Sequence, residues 1–198
     1  MMKTIWLDYP GTPFSTALAG LFRKHGWEVL TCEAEKAAEK TESLDFAVFG
    51  TAFDRSSDSL ENGLHYDTML DFYEKVAAAP FRKLQALLPL LDKGEGKRIC
   101  FFTDAKATVN QSEDVSGYAG SMAHAALHTH AVIAYNQLKP DGYTLRLMDP
   151  RGPLSAEALA GCAYAYFTRD RGFDSHNDTR IDENIPKIMD YKGSVIPW

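Results

Sequence analysis

The sequence predicts one three-layer α/β domain over residues 1–198, a doubly wound, mostly parallel sheet with helices on both faces. Three observations carry this. Short apolar runs that read as buried strands alternate with longer stretches of helical periodicity, and no internal repeat or low-complexity linker interrupts the alternation. Each crossover must return the chain to the same edge of the sheet, so strict alternation calls for parallel strands with helices packed above and below. The chain is also long enough, at 198 residues and 45% hydrophobic, to bury one sizeable core.

The elements follow in order. KTIWLDY is the first buried strand, and PFSTALAGLFRKHG carries Phe14, Leu18, Leu21 and Phe22 at helical spacing before Gly26 closes it. WEVLTCE is the second strand, EAEKAAEKTES is polar and helix-prone, and LDFAVFG is the third strand, rich in β-branched and aromatic residues. From Leu60 to Leu91 the apolar residues Leu64, Met69, Leu70, Phe72, Tyr73 and Val76 fall at helical offsets, with Pro80 expected to kink or divide the helix. KRICFFT, residues 97 to 103, is the fourth strand. Helix resumes at Tyr118 and runs to about Leu138, where KPDG stops it. YTLRLMD is the fifth strand, LSAEALAGCAYAYFTRD a further helix, FDSHNDTRIDEN an acidic polar loop, and KIMDYKG a short final strand.

Composition narrows the function classes. A net charge of -6 without a local Lys/Arg run offers no field for nucleic acid or anionic lipid. Cys32, Cys100 and Cys162 are odd in number and widely spaced, which suggests neither a disulfide framework nor a thiolate metal site. No apolar run has the length of a secretory signal core or a membrane span, so a soluble, cytoplasmic protein is expected.

Several segments, in order, resemble the short-chain dehydrogenase/reductase family: KTIWLDYPGTPFSTALAGLFRKHGWEV, then APFRKLQALLPLL with GKRICFFT, then YAGSMAHAAL with LKPDGYTLRLMDPRG. They run from residue 3 to about 152, and their mutual spacing carries the match. The resemblance implies a Rossmann-type fold, here shortened, that binds NAD or NADP. It also marks what has changed. The family's three turn glycines, which let a pyrophosphate approach backbone and helix N-terminus, fall on Tyr9, Pro13 and Ser15. Its Asn-Asn-Ala-Gly falls on Phe49-Gly50-Thr51-Ala52, and the span from Cys32 to Leu44 is too short for the elements that cover adenine. Gly11, Thr12 and Gly50 are the remaining positions through which a cofactor would be held, and Gly11 also reads as a simple turn residue.

In the family a tyrosine exchanges the proton, a lysine four residues on lowers its pKa, a serine steadies the substrate oxygen and an asparagine supports a water relay. The resemblance puts Tyr118 at the tyrosine, Met122 at the lysine, Asp104 or Thr103 at the serine and Val76 at the asparagine. Residues i and i+4 share a helix face, so Met122 stands where the cation is needed, and a phenol with a reference pKa of about 10 is a poor acid or base without it. Tyr118 therefore reads as a remnant, with Asp104 as its candidate neighbour. No cofactor is expected on this reading, and NAD or NADP on the alternative of an oxidoreductase using Tyr118 in an atypical site.

Other features have modest readings. His124 and His128 share a helix face but lack a third ligand, so they are assigned to an interface or to solvent and no metal is expected. Asp174, His176, Asp178, Asp182 and Glu183 lack calcium-loop spacing and read as a solvated turn. Tyr164, Tyr166 and Phe167 read as packing or a lid, and Ser116 and Ser121 lack a hydrolase elbow. The function expected is a non-catalytic binding or scaffold protein with a possible small-molecule ligand. By resemblance it forms a homodimer or homotetramer through helices 64–91 and 118–138, with Ala123, Ala126, Leu127, Val132 and Tyr135 available for packing.

Overall fold

The computed structural model describes residues 2–8, 11–50, 56–169 and 185–197. Tyr9, Thr51, Ala52 and the acidic segment 174–183, all singled out from the sequence, lie outside them. Seven strands form one sheet: β1 (Thr4–Leu7), β2 (Glu28–Leu30), β3 (Phe46–Phe49), β4 (Arg98–Phe102), β5 (Thr144–Met148), β6 (Ile188–Met189) and β7 (Val195–Ile196), in the order β2-β1-β3-β4-β5-β6-β7. All neighbours pair parallel except β7, which turns back antiparallel on β6. The single final strand expected in KIMDYKG is thus the start of a small hairpin.

The inner strands β1, β3, β4 and β5 are buried along their whole length because both sheet faces are covered. Successive side chains take opposite faces. Trp6, Ala47, Phe49, Ile99, Phe101 and Leu147 join one buried cluster, while Ile5, Leu7, Val48, Cys100, Phe102 and Met148 join the other. Two helices, α1 (Pro13–Lys24) and α5 (Ala156–Thr168), close the second face with Leu18, Phe22, Ala160 and Phe167. The first face is closed by α3 (Ala79–Leu91), through Leu84, Leu87 and Leu91, and by α4 (Tyr118–Leu138), through Leu127, Ala131 and Tyr135.

Three expectations change here. The polar EAEKAAEK segment forms a 3-10 helix, Ala34–Glu39, that brings Ala34 and Ala37 into the core. The long helical region begins at Tyr66, so Leu64 lies outside it. It runs as α2 (Tyr66–Phe72), a π-helical segment Tyr73–Ala78, and α3. The division expected at Pro80 falls between the π segment and α3, with Pro80 in the first turn of α3. Proline has no N–H to give and crowds the carbonyl four residues back, and the wider π turn ahead of α3 absorbs both demands. Finally, Ala123, Leu127 and Tyr135 are 1%, 2% and 3% exposed, buried in the chain's own core and withdrawn from any assembly face. Ala126 and Val132 remain partly exposed.

Among the described residues, no helix is long and apolar enough to cross a membrane.

Candidate functional site

The strand order reverses between β2-β1 and β3-β4, and such a switch point opens a crevice beyond the carboxyl ends of β1 and β3. Asp8 stands at the end of β1. Its amide donates to the Val48 carbonyl at 2.9 Å, and its carboxylate accepts from Lys83 Nζ of α3 at 3.0 Å. The backbone then turns at Gly11, with φ +76°, into α1. Thr12 is the N-cap: its Oγ1 accepts from the Ser15 amide at 3.1 Å, and its carbonyl accepts from the Thr16 amide. Pro13 opens the helix and has no N–H. The Ser15 hydroxyl, fully buried, turns back to the Thr12 carbonyl at 3.1 Å. A helix N-terminus binds phosphate through free first-turn donors. In α1 one such donor is missing, another is spent on the cap, and a carboxylate stands at the end of the strand. Fewer first-turn donors of α1 are thus free for an anion. Gly50, across the crevice, also has a local reason: with φ +79°, a Cβ would stand 2.9 Å from the Phe102 carbonyl oxygen.

At the carboxyl ends of β4 and β5 lies a partly buried ion cluster. Arg151 spreads its guanidinium between Asp104, which it grips through both terminal nitrogens, and Asp149, which accepts from Nε at 2.9 Å and Nη2 at 2.7 Å. Asp149 also accepts from the Arg151 amide at 3.0 Å and the Ala105 amide at 2.9 Å. Burial would raise its carboxyl, but the hydrogen bonds and charge of Arg151 prevail and hold it below the usual carboxylate range. Burial works against the Arg151 cation, yet the two carboxylates raise its pKa further. Asp104 also accepts from the Lys106 amide at 2.8 Å. Among the described residues no hydrogen bond joins Asp104 to Tyr118, so the phenol–carboxylate pairing considered from sequence is not formed.

The start of α4 is fixed from a distance. Its N-cap, Gly117, has φ +83° and no side chain to cap with. Asp58 serves instead, accepting from the Ala119 amide at 3.0 Å and, through its carbonyl, from the Gly117 amide at 2.7 Å; Ser56 Oγ accepts from the Gly120 amide at 3.1 Å. A carboxylate at a helix N-terminus is electrostatically favoured. Tyr118 and Met122 share the outward face, 36% and 56% exposed. Val76, in the π segment, packs on the core.

The two helix histidines overturn the reading given to them. His124 and His128 face neither solvent nor an interface but are buried, 8% and 4% exposed, against the end of β4. Both meet the fully buried Thr103 hydroxyl, His124 through Nδ1 at 3.3 Å and His128 through Nε2 at 2.6 Å. Burial pushes each pKa down to about 4. For His124 the carboxylates of Asp104 and Asp149 pull the other way and Arg151 adds to the fall; for His128 the nearby His124 adds to it while the same carboxylates oppose it. Both rings are therefore neutral near pH 7. Among the described residues no group of three metal-ligating side chains is present. Beside His124, about 90 Å³ of cavity is lined by Ser56, Asp104, Asp114, Ser116, Ser121 and the backbone of Gly117 and Gly120. The structure thus brings Asp104 to this cavity and leaves Tyr118 outside its lining, with Gly11, Thr12 and Gly50 in separate structural roles. Sequence reasoning missed the Thr103–His124–His128 cluster and Arg151. Its available signal was the placement of Thr103 directly after a buried strand, with two histidines four apart on a nearby helix.

Comparison with known proteins agrees with this architecture. No known family's sequence profile matches the chain. A relative, C-signal of Myxococcus xanthus, is 25% identical over 122 residues, 62% of this chain and 74% of that protein. Among solved structures, a carbonyl reductase from Pseudomonas aeruginosa PAO1 superposes with TM-score 0.77 at 15% identity, covering 100% of both chains. The carbonyl reductase Sniffer of D. melanogaster gives 0.73 at 13%, again over 100% of both. NADPH-bound carbonyl reductase from chicken fatty liver gives 0.69 at 14%, covering 100% of this chain and 88% of that one. The chain has the Rossmann-type fold of the short-chain dehydrogenases/reductases.

Proposed function

We propose that this chain acts as a non-catalytic binding or scaffold protein built on a reductase fold, without dinucleotide binding or hydride transfer. The observation that carries the reading is the first turn of α1, where Thr12 caps the Ser15 amide and Pro13 supplies no donor. Met122 supports it independently, because the outward face of α4 carries no cation one turn from Tyr118 to stabilise a phenolate. The neighbours named as carbonyl reductases, one of them NADPH-bound, favour the competing reading of an NAD(P)-dependent oxidoreductase in which Tyr118, exposed at the start of α4, exchanges the proton.

Thermal unfolding with NAD, NADH, NADP and NADPH separates the two. A ligand at 100 times its Kd stabilises the native state by about 2.7 kcal/mol. The expected result is no saturable rise in Tm with any of the four. A saturable rise would overturn the proposal, and carbonyl reduction lost in Tyr118→Phe would then establish the oxidoreductase.

A further inference from the structure

We propose that residues 56–64 form a strap, latched by Asp58 onto the start of α4, that opens and closes as one unit while α4 itself stays folded. The device goes beyond the binding reading above and does not depend on it.

Little besides the latch holds the segment down. Of residues 56–64 only Asp58 is buried, and the two large apolar side chains, Leu60 and Leu64, are 76% and 41% exposed. The strap is closed on itself: Ser59 and Gly63 form an antiparallel bridge, Ser59 Oγ accepts from the Asn62 amide at 3.0 Å, and Gly63 turns with φ +88°. The helix that follows, α2, buries none of its residues and gives no anchor. Segments with so few buried apolar contacts open at lower free energy than the core. The helix beneath is different, with Ala119, Ala123 and Leu127 buried in the molecule.

The latch is three hydrogen bonds converging on one turn. Gly117 donates its amide to the Asp58 carbonyl at 2.7 Å, Ala119 to Asp58 Oδ2 at 3.0 Å and Gly120 to Ser56 Oγ at 3.1 Å. These amides have no acceptor within the helix, and the Asp58 charge is favoured at its N-terminus. The two backbones lie close, since a Cβ on Gly117 would stand 3.3 Å from the Ser56 carbonyl oxygen. One feature opposes closure. Oδ1 of Asp58 is buried and has no hydrogen-bond partner among the described residues. Closing therefore strips water from a charged oxygen without replacing it, and also orders the loop. Formed bonds and an unmet acceptor set against each other make the closed state a balance. Opening uncovers the first-turn amides of α4 and withdraws Ser56 from the wall of the hollow beside His124.

Native-state hydrogen exchange of the full chain, read amide by amide by NMR, tests this. In the wild type, the Gly117, Ala119 and Gly120 amides should share one protection factor, lower than those of Leu127 and Ala131. It should also respond less to urea, because opening the strap exposes little surface. The Ser121 amide, which donates to the Gly117 carbonyl within α4, should remain better protected than the three. Asp58→Ala should lower the shared factor about fivefold or more. The fall should include Gly120, whose acceptor on Ser56 the substitution leaves in place. Asp58→Asn, which keeps an acceptor for the Ala119 amide, should lower it less. A fall confined to Ala119 would reduce Asp58 to a local cap and overturn the strap. So would a Ser121 amide that exchanges with the other three, since the helix end would then be fraying. Should Asp58→Ala fail to fold, the wild type decides alone: three amides that exchange only together with Leu127 and Ala131, at every urea concentration, would rule out a separate opening.

Discussion

At Gly50 the backbone has φ +79°, and a Cβ would stand 2.9 Å from the carbonyl oxygen of Phe102, so the residue is required by the approach of two chain segments. Gly50→Ala should cost about 2 kcal/mol or more, a left-handed penalty of roughly 1–2 kcal/mol plus the displacement of a strand end. Urea denaturation checks this: the midpoint should fall with the m value unchanged, and a loss under about 0.5 kcal/mol would place the glycine among tolerant sites. The sequence could mark Gly50 as special but not say why, because Phe102 lies on another strand. The histidines pose the same difficulty more sharply. Their helical spacing was legible, whereas their burial depended on which face of α4 meets β4. Burial has a pH consequence. With native pKa values of about 4 against 6.5 for the unfolded chain, the unfolded state binds more protons between those values. Stability from this source is therefore complete above about pH 6.5 and is lost as pH falls towards 4. His128→Gln should flatten the stability–pH slope in that window, and an unchanged slope would contradict the neutral, buried assignment.

Among the elements, α5 ends in an arrangement that no local pattern announces. Arg98 and Arg146, 5% and 4% exposed on neighbouring strands, both reach the helix's last carbonyls. Arg98 Nη1 donates to Phe167 at 2.7 Å and to Arg169 at 3.0 Å; Arg146 Nη1 donates to Tyr166 and, at 3.2 Å, to Phe167. Two cations thus meet the negative end of the helix dipole and satisfy terminal carbonyls. Arg146→Met keeps much of the packing volume but removes these bonds. It should destabilise the protein by about 1.5–3 kcal/mol, the range for hydrogen bonds from a charged group, and speed hydrogen exchange at the Arg169 amide. Exchange unchanged in the last turn would mean that the arginines serve another purpose. Elements whose signals are local were readable: α1 has its Thr12 cap and Pro13 start, and α4 runs over the span its periodicity indicated. The π segment was hidden, since its sequence YEKVAA is ordinary helix by composition and only the following Pro80 hints at the change.

For the whole molecule, alternation of strand and helix was enough to specify a doubly wound sheet, because covering both faces of a parallel sheet leaves few other topologies. The site was less legible. Its losses could be counted by position, but the Asp104–Arg151–Asp149 cluster joins residues 47 positions apart, and the cavity depends on Ser56 reaching the start of α4 from 64 positions away. Assembly is the remaining whole-molecule question, and the burial pattern moves its candidate surface. With Ala123, Leu127 and Tyr135 committed to the core, the most exposed large apolar residues on α4 are Met122 and Ile133, 56% and 60% exposed. They are eleven residues apart, close to three turns of about 3.6 residues, and so share one stripe. Leu70 and Tyr73, 47% and 42% exposed, add apolar surface on the neighbouring helix. We expect the chain to form a homodimer or homotetramer through this stripe. Light scattering after size exclusion should give a multiple of 22.0 kDa for the wild type. The double substitution Met122→Glu and Ile133→Glu should give the single-chain mass with an unchanged far-UV spectrum, since an unpaired charge buried at an interface costs about 2–5 kcal/mol. A wild type that is monomeric, or a double variant that still associates, would remove α4 as the assembly face.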